Sequence, residues 1–468
     1  MRGAALSVCL AWLLAAAPAA AAHADLLVTV GEVTDTTAVM WVRGVAWGEV
    51  AVRYEPVRPA AEGRAIEPAR AEVRVSPGRH LTGKLLLRPL EPSTRYRYVV
   101  TQNAHEAAGE FVTAPAPATV APVRFAWSGD LGSRGHCRVA GDGYPIFRAL
   151  AGAPTDFFIF AGDTVYADHV CGDGLHLPGY DFVANRLADF WAKHRHNRED
   201  PAVQAYFRRA SVYAIWDDHE VRNNFSGPTE PLMETGRRAF IDYFPIRPPR
   251  EEPGRLYRSF RWGALLEVFL LDTRQYRSPN TAPDGPSKTM LGAAQRRWLT
   301  DSLLASTAVW KVVVSSVPLS VPTGGKAHDS WSNAGPHGVP EPHGTGFAVE
   351  RDAILRQLRQ GGVQNLIFLA ADVHHAELIR HHPTPEWSFH EFIAGPLWAS
   401  TGRPRALDAR LRPRSLWSLG GAANFGDVAI DATGLTVRIV DALGNERFSH
   451  TFTWVGPSTA PSEASPTN

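Results

Sequence analysis

Net charge is almost absent from this chain. Its 468 residues sum to +1 at neutral pH, which gives no sign of a nucleic acid or other polyanionic partner. Lysine is scarce, five of the 48 basic residues, so arginine is everywhere and no single Arg is evidence of phosphate binding. Long hydrophobic runs are missing too. Nothing reaches the roughly 18 uninterrupted apolar residues that a membrane-spanning helix needs, and no internal repeat is visible. There are three cysteines. Cys9 lies in an N-terminal leader, which leaves Cys137 and Cys171. An even pair in an oxidising compartment favours a disulfide, and a thiolate metal ligand is the competing reading.

What the chain does have begins with that leader. Arg2, the apolar run Leu6 to Leu14 and the small-x-small site Ala22-His23-Ala24 read as a secretory signal over residues 1–24. Cleavage is expected before Asp25, with export to the periplasm or the outside. Residues 25–113 are strand-like with turn punctuation. Tyr96 and Tyr98 share one face of a strand and Arg95 and Arg97 the other. A Tyr entering a late strand after Glu91-Pro92-Ser93-Thr94 is the pattern of a tyrosine corner in an immunoglobulin-like sandwich, here expected to hold Trp41 in its core. Residues 114–122 are a Pro-rich spacer, extended and stiff. From 123 to 455, strand-like and helix-like segments alternate, which predicts an α/β domain. Residues 456–468 are Pro, Ser and Thr with little to bury and are expected to be disordered.

The α/β region repeats one feature. The buried-looking runs Phe125–Ser128, Phe157–Ala161, Val212–Trp216, Leu265–Leu271 and Leu366–Ala370 are followed by Asp130, by Asp163 with Tyr166, by Asp217, Asp218 and His219, by Asp272, and by Asp372 with His374. In a mostly parallel sheet these tips lie along one edge, where open α/β sheets place their ligands. Carboxylates gathered there repel by ~4 kcal/mol per close pair at an intermediate dielectric. Bound multivalent cations are the simplest remedy. An oxygen-rich set with one or two imidazoles and a phenol suits hard ions, and a phenolate suits a trivalent one. Two ions sharing one carboxylate are the arrangement that clamps phosphate esters, and Asp163, on the most buried strand, is the natural bridge.

Five stretches carry a resemblance: Ser128-Gly-Asp130-Leu-Gly132, Gly162-Asp-Thr-Val-Tyr166, Trp216-Asp-Asp-His-Glu-Val-Arg-Asn-Asn224, Leu271-Asp-Thr-Arg-Gln-Tyr-Arg277 and Ala371-Asp-Val-His374. With them the chain resembles the alkaline phosphatase D family of the calcineurin-like metallophosphoesterases, relatives of the purple acid phosphatases. The resemblance implies a four-layer αββα catalytic sandwich preceded by an immunoglobulin-like or fibronectin III-like β-sandwich. It also implies hydrolysis of phosphomonoesters or phosphodiesters, with a small phosphate ester as the partner molecule. By the same analogy Asp130, Asp163, Tyr166 and His374 hold an Fe(III)-like ion. Asp163, Asn223 and Asp372, with Asp218, hold a divalent one, Ca2+ first and Zn2+ or Mn2+ as alternatives. His219 is the catalytic group beside the leaving oxygen, and Asn224 and Arg274 contact substrate.

One departure stands out: the best-known branch of that family has Cys where this chain has Asp130. Cys137 is near enough in sequence to swing back, unless it is bonded to Cys171. Several residues also have plainer readings. Asp217 points away from Asp218 by strand alternation, Arg274 serves as scaffold, Asp272 orients other groups, Trp216 and Trp298 are core, and His136, His169 and the histidines of the 328–343 loop are solvated. The long Gly/Pro/Ser/His segment 317–345 reads as an active-site rim or a mobile lid. Two other functions fit the same sequence, a phospholipase D-like phosphodiesterase and an inactive surface-binding module.

Overall fold

The computed structural model describes residues 25–57, 67–133, 135–172 and 179–454. The expected signal and its cleavage site, and the expected C-terminal tail, lie outside the described residues. No helix among the described residues is long and apolar enough to cross a membrane.

Among the described residues the N-terminal part is built of strands, with one 3-10 turn at Pro77–Arg79: β1 (Leu27–Gly31), β2 (Ala38–Arg43), β3 (Gly48–Pro56), β4 (Ala69–Val75), β5 (Thr82–Leu87), β6 (Arg95–Gln102) and β7 (His105–Val112). After Val123, strands and helices alternate: β8 (Val123–Ser128), α1 (Ile146–Gly152), β9 (Phe157–Ala161), α2 (Leu187–Arg198), α3 (Pro201–Phe207), β10 (Ser211–Ile215) and α4 (Met233–Tyr243). A second such run follows: β11 (Arg258–Trp262), β12 (Leu266–Leu270), α5 (Gly292–Ala305), β13 (Trp310–Val314), α6 (Ala348–Gln360) and β14 (Leu366–Ala370). The chain closes with β15 (Ala376–Thr384), β16 (Trp387–Ile393), β17 (Pro413–Leu419), β18 (Asn424–Ile430), β19 (Gly434–Asp441) and β20 (Glu446–Thr453).

Two large sheets face each other. One has the order β20-β19-β18-β8-β9-β10-β1-β2-β5 and the other β11-β12-β13-β14-β16-β15-β17. The strands β8, β9 and β10 are parallel, as are β12, β13 and β14. Their residues are buried on both faces because each sheet is covered twice. Phe125, Trp127, Ile159 and Ile215 meet Val268, Val312, Ile367 and Phe392 between the sheets. The alternate residues Ala126, Phe158, Phe160 and Val212 face Phe147, Phe190 and Phe240 of the helices α1, α2 and α4. On the far side Phe269, Val313 and Phe368 pack on Leu299, Leu303, Ile354 and Leu358 of α5 and α6. The layering is helix, sheet, sheet, helix.

Two expectations for the N-terminal part need correction. Trp41 does not fill a local sandwich core. Met40 and Val42 do so, facing Val50, Val52, Tyr96 and Tyr98, while Trp41 points the other way. Its Nε1 donates to Asp242 O (2.7 Å) and Arg198 lies over its ring. The reason is that β1 extends the catalytic sheet, pairing in parallel with β10 at Gly31 and Val212. The β1-β2-β5 sheet therefore buries one face on the strands β4-β3-β6-β7 and the other on the α/β helices. Nor is the segment 114–122 a free spacer: Pro115 O and Thr119 O accept from Gly263 N and Ala264 N at the β11–β12 turn. The tyrosine corner is present, with Glu91 N donating to Tyr96 Oη (2.8 Å).

Candidate metal centre

Each strand that feeds the site stops two residues short of its acid. β8 is followed by Gly129 and Asp130, β9 by Gly162 and Asp163, β10 by Trp216 and Asp217, and β14 by Ala371 and Asp372. Asp130, Asp163 and Asp372 sit at φ +63°, +49° and +64°, and His374 at +58°. Non-glycine residues there cost energy that only the surrounding structure can hold in place, and such strain gathers at functional sites. The tips of the two sheets also crowd one another. A Cβ on Gly129 would come within 2.7 Å of Ala371 Cβ and 2.9 Å of Gly162 O, so only glycine lets β8 and β14 end side by side.

The structure brings the predicted residues together. Ligand atoms of Asp130, Asp163 and His374 lie within 4.8 Å of one another, as do those of Asp163, Asp218 and His219, and of Asp217, Asp218 and Asp372. Asp163 joins the first two groups and Asp218 the last two. Tyr166 Oη is 3.0 Å from His374 Nε2, and that nitrogen is 3.5 Å from Asp130 Oδ1. The other ring nitrogen, Nδ1, faces Ser400 O, the way an outer partner fixes a metal-ligating imidazole. Asp163, Tyr166, Asp218, His219, Asn223, Asn224, Asp372 and His374 line one cavity of about 450 Å3.

A cation fits this donor set. Both oxygens of Asp130, Oδ1 of Asp218 and Oδ2 of Asp372 are buried with no hydrogen-bond partner among the described residues. A buried carboxylate left so is costly. Without cations, burial first and then the neighbouring carboxylates hold Asp130, Asp163 and Asp372 well above the usual carboxylate range. Burial and then Asp163 and Asp130 push the Tyr166 phenol up in the same way. Positive charge in the cavity would reverse all four shifts.

His219 is held differently. Its backbone N donates to Asp163 Oδ1 (3.2 Å), its ring stacks on Tyr166 at 4.2 Å, and its Nδ1 lies 2.8 Å from Asp168 Oδ1. Burial alone would lower its pKa, but Asp218 and Asp168 outweigh burial and hold it up at about 9. Asp168 is a residue to which the sequence reading gave no role. It also accepts from Asn223 N (2.8 Å), so it ties His219 to the Asn223-Asn224 turn. Asn224 N in turn donates to Asp218 Oδ2 (2.5 Å). His169 is not solvated as expected: it stacks on Tyr166 and lies tilted against His219 at the cavity wall.

Arg274 is the clearest correction. The sequence reads it either as a fork on substrate phosphate or as scaffold paired with Asp272, and it is fully buried, paired with other acids. Its Nε donates to Asp217 Oδ1 (2.6 Å) and its Nη1 and Nη2 fork Asp329 at 2.9 and 2.8 Å. Its Nη1 also donates to Phe225 O (3.4 Å) and its Nη2 lies 3.7 Å from Asp218 Oδ1, so it is held as scaffold. Asp272 belongs to the same frame, accepting from Trp216 Nε1 and from Arg274 N, Gln275 N and Gln275 Nε2. Asp329 also accepts from Arg277 and Asn280, which pins the middle of the 317–345 segment as a fixed wall rather than a swinging lid.

The sequence comparisons bear on this geometry. The family model for PhoD-like phosphatases matches residues 134–433. The chain belongs to the PhoD-like phosphatase family. Among curated proteins it is similar to alkaline phosphatase D of Bacillus subtilis (strain 168), 26% identical over 325 residues, covering 61% of this chain and 52% of the relative. This PhoD-like chain thus spans about half the length of the curated relative it matches. Among solved structures it resembles that of PhoD, with TM-score 0.73 at 19% identity, covering 91% of this chain and 88% of that one. It also resembles the purple acid phosphatase PPD1 from yellow lupin (Lupinus luteus) seeds, with TM-score 0.61 at 12% identity, covering 92% and 74%. At these identities the likeness is one of fold.

The cysteine question has an answer: Cys137 and Cys171, 34 residues apart, are bonded, so neither thiolate is a ligand. The bond ties the Ser133–Cys137 loop to the far end of the Asp163 loop, and Gly135 N donates to Cys171 O (3.0 Å). For a loop of this length, reduction is expected to cost about 3–4 kcal/mol of stability. Urea unfolding with and without dithiothreitol measures this, and superimposable curves would show that the bond contributes nothing.

Proposed function

We propose that this PhoD-like protein is an exported hydrolase of phosphomonoesters or phosphodiesters that works with two cations. The buried oxygens of Asp130, Asp218 and Asp372 that accept no hydrogen bond among the described residues, linked through Asp163 and Asp218, carry this reading. Asp130, Asp163, Tyr166 and His374 would hold one ion, Fe(III)-like because of the phenol. Asp163, Asn223 and Asp372, with Asp218, would hold a divalent one, Ca2+ first and Zn2+ or Mn2+ as alternatives. Asp130 in place of a thiolate makes the first site a harder, all-oxygen-and-imidazole one. The N-terminal strands, with their tyrosine corner, are read as an immunoglobulin-like sandwich fused to the catalytic sheet.

When bound, the ions would supply the positive charge that holds the phosphoryl oxygens and acidifies a water in the cavity. The protein supplies the rest. Asp168 accepts from Nδ1 and fixes the His219 ring, and in the imidazolium that Asp218 and Asp168 favour, Nε2 carries the second proton, for the departing alkoxide oxygen. Asn224, on the same cavity lining, would meet substrate oxygens. The wall around Asp329 and Arg274 keeps the Asp217–Asp218 tip in place while charge moves.

Purified protein should carry metal by elemental analysis and release p-nitrophenol from mono- or bis-p-nitrophenyl phosphate, with activity lost to a chelator and restored by metal. Metal-free protein that remains inert when supplied with iron and each divalent ion would sink the reading. His219→Ala is expected to lower turnover by roughly 10²–10⁴-fold with metal content unchanged. Loss of the metal instead would recast His219 as a ligand.

A further inference from the structure

The 317–345 segment does more than wall the site. Its two arms enclose an annex of about 580 Å3 that shares Thr323, Gly324 and Arg405 with the metal-site cavity. The two spaces are therefore neighbours, with those three residues on both linings. The annex is a built feature. Asp329 N donates to Thr323 O (3.1 Å), and the buried Asp329 carboxylate locks the segment to Arg274 and Arg277. At the dividing wall Gly324 has φ +91°, and a Cβ there would meet Ala327 O at 2.0 Å, so the tight turn requires glycine. Arg405 Nη1 donates to Pro322 O (3.1 Å), which fixes its guanidinium at the join.

The charges lining the annex are unbalanced. Glu341 is its one acid, and it is engaged by His328 (Nε2 to Oε2, 3.0 Å). Lys326 is exposed on the rim, and with Arg405 it leaves the annex net positive. A phosphate ester bound by its phosphoryl group at the acids would send its alcohol part past Thr323 and Gly324 into this space.

Resting on the hydrolase reading above, we propose that the annex is a subsite for the alcohol part of the substrate, selecting phosphate esters whose alcohol carries a second anionic group. Lys326 and Arg405 meet that group, and the flexible ammonium of Lys326 accepts either a phosphate or a carboxylate as a point charge.

A matched series tests this: hexyl phosphate, 6-(phosphonooxy)hexanoate and hexane-1,6-diyl bisphosphate each lose a primary six-carbon alkoxide and differ in the charge at its far end. With full-length, metal-loaded protein, phosphate release should show KM about tenfold lower for the two charged esters, equivalent to about 1.4 kcal/mol, with similar kcat. Which of the two has the lower KM tells whether the second group is a phosphate or a carboxylate. In Lys326→Glu the advantage should vanish while hexyl phosphate changes less than about twofold. Equal KM across the series in the wild type, or a Lys326→Glu effect that is the same for all three, overturns the annex and leaves the hydrolase reading standing. If the wild type releases phosphate from none of the three, it is the hydrolase reading that fails. Calorimetric binding of hexane-1,6-diyl bisphosphate then decides the annex alone: about tenfold weaker binding in Lys326→Glu supports it, and an unchanged Kd overturns it.

Discussion

Asp163→Ala is expected to remove bound metal and to lower turnover by well over 100-fold, the upper end of what is lost when merely an outer partner of a metal ligand is removed. Asp163 is the acid shared by the Asp130–His374 group and the Asp218–His219 group, so its removal empties both ends of the proposed pair at once. It also accepts from His219 N, so the backbone of His219 loses an anchor. The fold should survive. Asp163 is itself held well above the usual carboxylate range, by burial first and then by Asp218, Asp217, Glu220 and Asp130, so its removal relieves the metal-free protein rather than stressing it. The decisive measurement pairs elemental analysis with thermal unfolding, with and without added metal. Wild type should gain stability on metal addition by mass action, and Asp163→Ala should gain none. A variant that keeps two equivalents of metal and near-wild-type turnover discards the bridge.

Much of this site was legible because its signal repeats. One Gly-Asp after one apolar run is an ordinary turn, but five acid-bearing strand ends in a βα pattern predict a shared edge, and the structure places four of those tips in a chain of contacts. The fifth, Asp272, was not distinguishable in sequence. It has the same context as the others, and only the four donors that converge on it show that it has nothing left to offer. Asp168 was missed for the opposite reason: it follows no strand, and its partner His219 is 51 residues away. Helix α3 had a readable signal, Asp200 capping Ala202 N and Val203 N with Pro201 in the first turn. Trp41 shows where a local reading stops. Its strand fits a sandwich on either face, and the choice was made by β10, some 170 residues further on.

The second large effect concerns no catalytic group at all. Arg274→Leu is expected to destabilise the protein by about 3–5 kcal/mol, the cost of breaking a buried ion pair from one side. Burial opposes a charged Arg274, but Asp217 and Asp329 outweigh it and hold its pKa up. Burial likewise opposes ionised Asp329, which Arg274 and Arg277 bring down to about 2. Removing the guanidinium leaves Asp217 with Ser316 and Asp329 with Arg277 and Asn280, each carboxylate short of its main partner. Arg274→Lys should recover part of the loss, since a lysine keeps the charge but cannot fork Asp329 while also reaching Asp217. Urea unfolding gives the energies, and the kinetics of the surviving folded fraction give the role. A substrate-binding Arg would raise KM at unchanged stability. A scaffold Arg lowers stability and leaves the KM of the folded fraction near wild type. Because Asp217 adjoins Asp218 and Asp329 anchors the wall shared with the annex, this one side chain fixes both the metal acids and the space beside them. Its loss should therefore lower metal affinity as well, although Arg274 touches no metal.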